Sequence, residues 1–337
     1  MRRLLRILAC LPWYRVIARP ILFRLDPETA QRAAEAALHV RPLWRLHRIA
    51  TAPSAPPPQP ALAGVRAPNP VGLAAGFDKR CVYLNTLPDL GFGYLVAGTI
   101  TREPRPGNPR PRLARRPAEE SLVNAMGFPS DGVEACARRL ERYERRVPVI
   151  ASVAALGDED TLFCVERLDP LVDGFELNVS SPNSAGVREY QDPEALRRLL
   201  TLLQRRAKPL FVKTPPYQDE ATRRKAHALL RACVDAGAQG VTVANAPSVL
   251  EPRVTTGTGG LSGRALLENT LRMTEDARRE VGGGLAVNAC GGVTTAADAR
   301  RAIDAGADSV QLYTALVYRG PGVVNRIVAG LARNARA

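Results

Sequence analysis

Within six residues the chain places Asn178, Ser180, Ser181, Pro182 and Asn183. A carboxamide offers both a donor and an acceptor, and a hydroxyl can carry a proton. Amides on both sides of a hydroxyl suit the grip of a small, flat, polar molecule while Ser181 handles a proton. The competing reading is a turn after a strand, since Asn, Ser and Pro all favour turns. Lysine is the second signal. Only Lys79, Lys208, Lys213 and Lys225 occur, so 43 of the 47 basic residues are arginine. In such a chain a lysine marks a place where a compact ammonium is needed and a planar guanidinium does not serve. Glycine is the third. The runs Gly259-Gly260-Leu261-Ser262-Gly263 and Gly291-Gly292 let backbone N–H groups approach a phosphate, although glycine turns are common everywhere.

These groups act together only if the fold carries them to one place. Short apolar runs, read as strands, lie at 70–75, 92–99, 147–153, 174–179, 209–213, 239–244, 284–289 and 308–312. Helical patterns follow each one, at about 80–87, 131–145, 158–168, 192–206, 218–236, 264–281, 295–305 and 321–333. Eight such pairs predict a (β/α)8 barrel, an α/β fold. A doubly wound open sheet usually needs fewer units, and no G-x-G-x-x-G fingerprint follows the first strand, which argues against a nicotinamide-binding unit. The active face of such a barrel lies at the C-terminal strand ends. The sequence places Ala75, Gly76, Lys79, Thr99, Asn178, Lys213, Asn245, Gly292, Tyr313 and Thr314 there. The glycine pairs beside Tyr313 and Thr314 point to a phosphate-bearing cofactor.

Residues 1–50 stand apart, with ten arginines, three acids and no lysine. Arg2, Arg3 and Arg6 alternate with Leu4, Leu5, Ile7 and Leu8, and Trp13-Tyr14 follow. No apolar run approaches the ~18 residues of a membrane span. The pattern suits an amphipathic segment lying on an anionic membrane surface; a helical cap or a cleaved presequence are the other readings. A helix is predicted from Asp26, as N-cap, to about His39, with Pro27 at its first position. The proline-rich stretch 51–60 reads as a stiff linker, leaving 61–337 for the barrel. The net charge of +14 favours an anionic partner, yet no zinc-finger spacing or aromatic–basic interleaving points to nucleic acid. Six scattered cysteines without a C-x-x-C pair, and His39, His47 and His227 away from strand ends, point to free thiols and to no metal site.

Taken in order, these motifs resemble the quinone-dependent (class 2) dihydroorotate dehydrogenases. The matching runs are residues 23–28, Asn69 to Lys79, Pro106 to Leu113, Asn124 with Met126-Gly127-Phe128, Asn178 to Asn183, Thr258 to Gly263, and Val310 to Tyr318. The resemblance implies a barrel that holds FMN and an N-terminal helix pair that touches the membrane and admits quinone. Dihydroorotate is then oxidised to orotate, with Ser181 as catalytic base. Serine at that place, where the cytosolic class carries cysteine, together with the long N-terminal segment points to class 2. By the same resemblance, Lys79, Asn124, Met126, Gly127, Phe128, Asn178, Asn183 and Asn245 hold the substrate. Ala75, Gly76, Lys79, Thr99, Asn178, Lys213, Gly263, Gly292, Tyr313 and Thr314 hold the FMN. The implied location is the cytoplasmic face of a bacterial inner membrane, as a peripheral protein; the oligomeric state stays open.

Three places depart from the family pattern. Val153 stands where the family carries an Asn after the third strand. Ala244-Asn245-Ala246 replaces Thr-Asn-Thr, and Pro129-Ser130 replaces Asn-Asn. Each lost hydrogen bond is worth about 0.5–1.5 kcal/mol. A related flavoprotein acting on another cyclic amide or an enone, or a barrel without catalysis, are the alternatives these changes leave open.

Overall fold

The apolar runs become eight parallel strands closed into a barrel. The computed structural model describes residues 13–53, 59–60, 62–180 and 185–334. The barrel strands are β1 (Val71–Leu73), β2 (Tyr94–Ile100), β5 (Val149–Ala154), β6 (Gly174–Asn178), β7 (Leu210–Lys213), β8 (Gly240–Val243), β11 (Ala286–Cys290) and β12 (Ser309–Leu312). Their order around the ring is β1-β12-β11-β8-β7-β6-β5-β2. Residues of β2, β5, β6 and β7 are all buried, as expected when a parallel sheet is covered on both faces. Near the N-terminal strand ends, Leu62 and Val65 form a small bridge and pack with Tyr94, Val96, Ile150 and Phe211.

Helices α4 (Val133–Leu140), α5 (Asp158–Leu168), α6 (Ala185–Glu189), α7 (Pro193–Leu202), α8 (Glu220–Asp235), α9 (Leu267–Val281), α10 (Ala296–Asp304), α11 (Thr314–Arg319) and α12 (Val323–Asn334) complete the barrel. The helix expected at 80–87 does not form. The Asp78 carboxylate accepts the N–H groups of Val82 at 2.9 Å and Tyr83 at 2.8 Å, and Cys81 takes a left-handed φ of 56°. Those donors are spent on a side chain, and only a 3₁₀ turn, Leu87–Leu90, follows.

A second sheet was not expected. Strands β3 (Leu113–Arg116), β4 (Ser121–Asn124), β10 (Thr258–Gly263) and β9 (Ser248–Leu250) pair antiparallel in the order β3-β4-β10-β9. The glycine run Gly259–Gly263, read above for its approach to a phosphate, thus lies in strand β10. Its glycines allow close pairing: a Cβ on Gly259 would lie 2.7 Å from the Asn124 carbonyl oxygen.

Ahead of the barrel lie α1 (Arg19–Arg24), α2 (Pro27–Leu38) and α3 (Arg41–Thr51), preceded by a wide helical turn at Tyr14–Ala18. The expected α2 start is present: the Asp26 carboxylate accepts Glu28 N–H at 3.1 Å and Thr29 N–H at 3.0 Å, with Pro27 at the first helical position. The alternating Arg2–Leu8 stretch and linker residues 54–58 lie outside the described residues.

Polar anchors tie this layer down. Buried Glu28 pairs with Arg112 at 2.9 Å and Arg110 at 2.8 Å. Arg115 donates to the carbonyls of Leu22 and Leu25 at 3.2 and 2.7 Å and lies over the Phe23 ring. Tyr14 Oη donates to the Val317 carbonyl at 2.7 Å, and Arg48 meets buried Asp89 at 3.1 Å.

Candidate active site

A cavity of about 590 Å³ opens at the C-terminal strand ends and runs on beneath the helical layer. Its size is that of a cofactor site. Around the barrel mouth it is lined by Ala75, Gly76, Lys79, Thr99, Asn178, Lys213 and Asn245. The second sheet adds Asn124, with Met126, Gly127 and Phe128 just beyond β4, and Gly263 from β10. Gly292, Tyr313 and Thr314 close the side formed by β11 and β12. One cavity therefore brings together every site residue predicted from the sequence except Ser181 and Asn183, which lie outside the described residues.

At the floor, amide and hydroxyls form one chain. Thr99 Oγ1 and Ser152 Oγ lie 3.1 Å apart, and Asn178 Nδ2 donates to Thr99 Oγ1 at 3.2 Å. Asn178 Oδ1 in turn accepts the backbone N–H of Ser180 at 3.2 Å and its hydroxyl at 3.0 Å. The amide orientation at the end of β6 is thereby fixed. Across the cavity Asn124 Nδ2 donates to the Gly260 carbonyl at 3.3 Å. Asn245 Oδ1 accepts the Ala246 N–H at 2.9 Å, and the side-chain N–H groups of Asn245 have no acceptor among the described residues. Ala244 and Ala246 present methyl groups to the same space, whereas Val153 is buried in β5 and does not line it.

Lys79 donates from Nζ to the Gly76 carbonyl. Burial lowers its pKa to about 8, with Arg112 adding to the effect and Glu35 and Asp78 opposing it. The ammonium is thus enclosed by protein while facing the cavity. Phe77 and Tyr313 meet edge to face, 5.4 Å between centroids, on the same wall.

Glycine and helix starts shape the phosphate end. Gly292 has φ 78°, and a Cβ there would lie 2.3 Å from Leu267 N, so only glycine lets β11 pass this close to α9. The backbone N–H groups of Gly291, Gly292, Tyr313 and Thr314 have no acceptor among the described residues. Successive free N–H groups form an anion-binding concavity. With the buried cation of Lys213 at another side of the cavity, this donor set fits the phosphate and the electron-poor ring of FMN.

Lys213 is 5% exposed, and its Nζ lies 3.8 Å from both Glu176 Oε1 and Cys290 Sγ. Burial favours the neutral amine, but Cys290 and Glu176 outweigh it and the pKa is raised. Burial likewise raises the Cys290 thiol.

Sequence reasoning missed Cys290, Gln311 and Glu35 as lining residues. Glu35 carried one readable signal: it stands four residues after Gln31 on α2, and Gln31 Nε2 donates to Glu35 Oε1 at 2.7 Å. The helical side of the cavity is otherwise apolar, with Trp13, Leu22, Phe23, Leu38 and Trp44.

Comparison with known proteins agrees with this geometry. The family model described as dihydroorotate dehydrogenase matches residues 59–334. A protein of Anaeromyxobacter dehalogenans called dihydroorotate dehydrogenase (quinone) is 40% identical, over 94% of this chain and 91% of its own. One of the same name from Chloroflexus aurantiacus is 37% identical, over 94% and 95%. The Eimeria tenella DHODH crystallised with ferulenol superposes with a TM-score of 0.75 at 29% identity, covering 82% of this chain and 84% of its own. With the barrel, the lysines and the asparagines in place around one cavity, the chain belongs to the dihydroorotate dehydrogenase family.

Proposed function

We propose that this chain oxidises dihydroorotate to orotate with bound FMN and delivers the electrons to quinone. The observation that carries the reading is the single cavity, polar at the barrel mouth and apolar beneath the helices. FMN, when bound, supplies the hydride acceptor and then the electron donor to quinone. Asn124, Asn178, Asn183 and Asn245 offer donors and acceptors to the imide-like edges of the pyrimidine. The Lys79 ammonium balances the substrate carboxylate. Ser181 takes the proton from the carbon next to the carboxylated one as hydride leaves the latter. Serine is a weak base in water, so this step relies on a sheltered site or a water relay. Lys213 sets a positive charge where negative charge develops. Gly263, Gly292, Tyr313 and Thr314 hold the phosphate end, and Ala75, Gly76 and Thr99 the ring through close backbone contact.

Quinone enters between α1, α2 and α3, whose outer face is held against an anionic membrane. Exposed Val16, Ile17, Ile21, Leu46 and Ile49 interleaved with exposed Arg15, Arg24 and Arg45 support that placement. No helix among the described residues is long and apolar enough to cross a membrane, which fits a peripheral location.

The test is an absorbance spectrum of the purified protein before and after anaerobic dihydroorotate. A yellow protein bleached by dihydroorotate is expected. Ser181→Ala should stay yellow and bleach about 10²–10⁴-fold more slowly, the usual worth of a general base. A protein that stays colourless after FMN is supplied overturns the cofactor assignment. Yellow protein that dihydroorotate leaves unbleached overturns the substrate, and favours a changed pocket at Ala244 and Ala246.

A further inference from the structure

The barrel interior contains a carboxylate that the mechanism above does not use. Glu176 lies on β6 two residues before Asn178 and is 1% exposed. It pairs in register with Phe211, and Asn178 pairs with Lys213, so Glu176 sits one layer below the lysine in the barrel. Its Oε2 accepts from Thr242 Oγ1 at 2.8 Å and from Gln311 Nε2 at 3.3 Å. Its Oε1 has no hydrogen-bond partner among the described residues and faces Lys213 Nζ at 3.8 Å. No other carboxylate pairs with Lys213 among the described residues.

A neutral polar layer holds this carboxylate from below. Asn288 Nδ2 donates to Thr242 Oγ1 at 3.4 Å, Ser309 Oγ donates to Asn288 Oδ1 at 2.7 Å, and Tyr94 Oη lies 2.7 Å from Ser309 Oγ. The layer spans the barrel from β2 to β8 by way of β12 and β11, and leaves Oε1 free to face the lysine. Burying an ion pair is no route to stability, because well-packed apolar residues of similar size usually do as well or better. The arrangement therefore calls for a role at the lysine. Lys213 lines the cavity and Glu176 does not, so any effect on the cofactor passes through Lys213.

We propose that Glu176 is a positioning residue for Lys213 whose charge lowers the reduction potential of the bound flavin; this rests on the FMN assignment made above. A hydride reaching the ring brings two electrons and one proton, so the ring gains one negative charge. The Lys213 cation favours that charge, and the Glu176 carboxylate beneath it partly cancels the cation. The two together hold the potential below the value Lys213 alone would set. A lower potential makes the enzyme a better donor to quinone and a poorer acceptor from dihydroorotate. Glu176 thus divides the driving force between the two half-reactions.

The experiment measures the two-electron midpoint potential of the flavin by dye equilibration in wild type, Glu176→Gln and Glu176→Asp. Glu176→Gln should raise it enough to increase the reduced-to-oxidised ratio about tenfold at fixed ambient potential, about 30 mV for a two-electron couple. Glu176→Asp keeps the charge but draws it back from Lys213, and should give a smaller rise. A Glu176→Gln protein that binds FMN at an unchanged or lower potential overturns the proposal. So does an unchanged potential in Glu176→Asp if the Gln variant does not accumulate. A merely structural carboxylate would cost stability in both variants without moving the potential. Wild type that never binds FMN removes the cofactor assignment and this inference with it, a result plainly different from an unmoved potential.

Discussion

The barrel mouth and the helical layer face each other across one cavity but are held in opposite ways. At the mouth, Thr99, Asn178 and Lys213 stand at the ends of strands buried on both faces, and each is itself buried. Hydrogen bonds lock their side chains from several strands at once. Across the cavity, α1 buries no residue at all, α2 buries only Glu28, Ala30 and Leu38, and α3 only Trp44. That layer stays in place through a few anchors: Glu28 with Arg112, Arg115 on the α1 carbonyls, Tyr14 on Val317 and Arg48 on Asp89. Segments with few buried apolar contacts open at lower free energy than the core. The mouth is built for fixed geometry, as proton and hydride transfer require. The few anchors of the layer suit the admission of a bulky apolar electron acceptor proposed above.

The sharpest way to break this contrast is Glu28→Ala. Removing one partner of a buried pair costs about 3 kcal/mol or more. The loss should fall on the layer alone: faster amide exchange in α1 and α2, slower quinone reduction, and dihydroorotate bleaching close to wild type. Equal loss of both half-reactions would mean that mouth and layer are one mechanical unit. Acid should act in the same direction. Burial pushes the Glu28 carboxyl up, but its bonds to Arg112 outweigh this and its pKa is lowered from 4.5. A depressed folded pKa gives stability that is present above the unfolded value and is lost as pH falls through the folded one. Exchange in α2 should therefore quicken below about pH 4.5 before the barrel melts.

Lys79 tests the border between the two regions. With its pKa lowered by burial to about 8, it loses its charge as pH rises through that value. Binding of anionic dihydroorotate should weaken above it, with KM rising toward about tenfold per pH unit. The sign for stability is opposite. The folded pKa lies below the ordinary 10.5, so the unfolded chain holds more protons between about 8 and 10.5, and the Lys79 contribution to stability rises with pH there. A KM that stays flat through pH 8–9 would place the substrate carboxylate elsewhere.

The smallest effect on the fold belongs to the outer face. Replacing Val16, Ile17 and Ile21 with serine should change stability by only about 0.5 kcal/mol per site, because all three side chains are exposed. Cosedimentation with anionic vesicles should fall sharply while bleaching by dihydroorotate is unchanged. Undiminished vesicle binding would show that this face does not meet lipid.

What could be read in advance follows from the same contrast. The barrel strands were legible because each is a short apolar run buried on both sides, which marks it whatever its neighbours are. The second sheet was not: β3 reads Leu-Ala-Arg-Arg and β10 is half glycine, and the pairing of β4 with β10 joins Asn124 to Gly260 across 136 residues. The expected helix at 80–87 is interrupted where Cys81 takes a left-handed φ of 56° and Asp78 holds the N–H groups of Val82 and Tyr83. Site residues at strand ends were readable from position and motif together. Glu35, Cys290 and Glu176 were not, because their meaning comes from what they face. In sequence Glu176 is a lone acid between Phe175 and Leu177, and only the closed ring sets it beneath Lys213.

One feature of the helical layer gives the protein an optical signature of its own. Its only two tryptophans, Trp13 and Trp44, both line the cavity from that side. Tryptophan emission from this chain is therefore silent about most of the barrel and speaks for the helical side of the cavity alone. A yellow chromophore at the mouth would quench it by energy transfer, and a visitor between the helices would shift its colour. Filling, loading and docking could then be followed in the same cuvette, with no label attached.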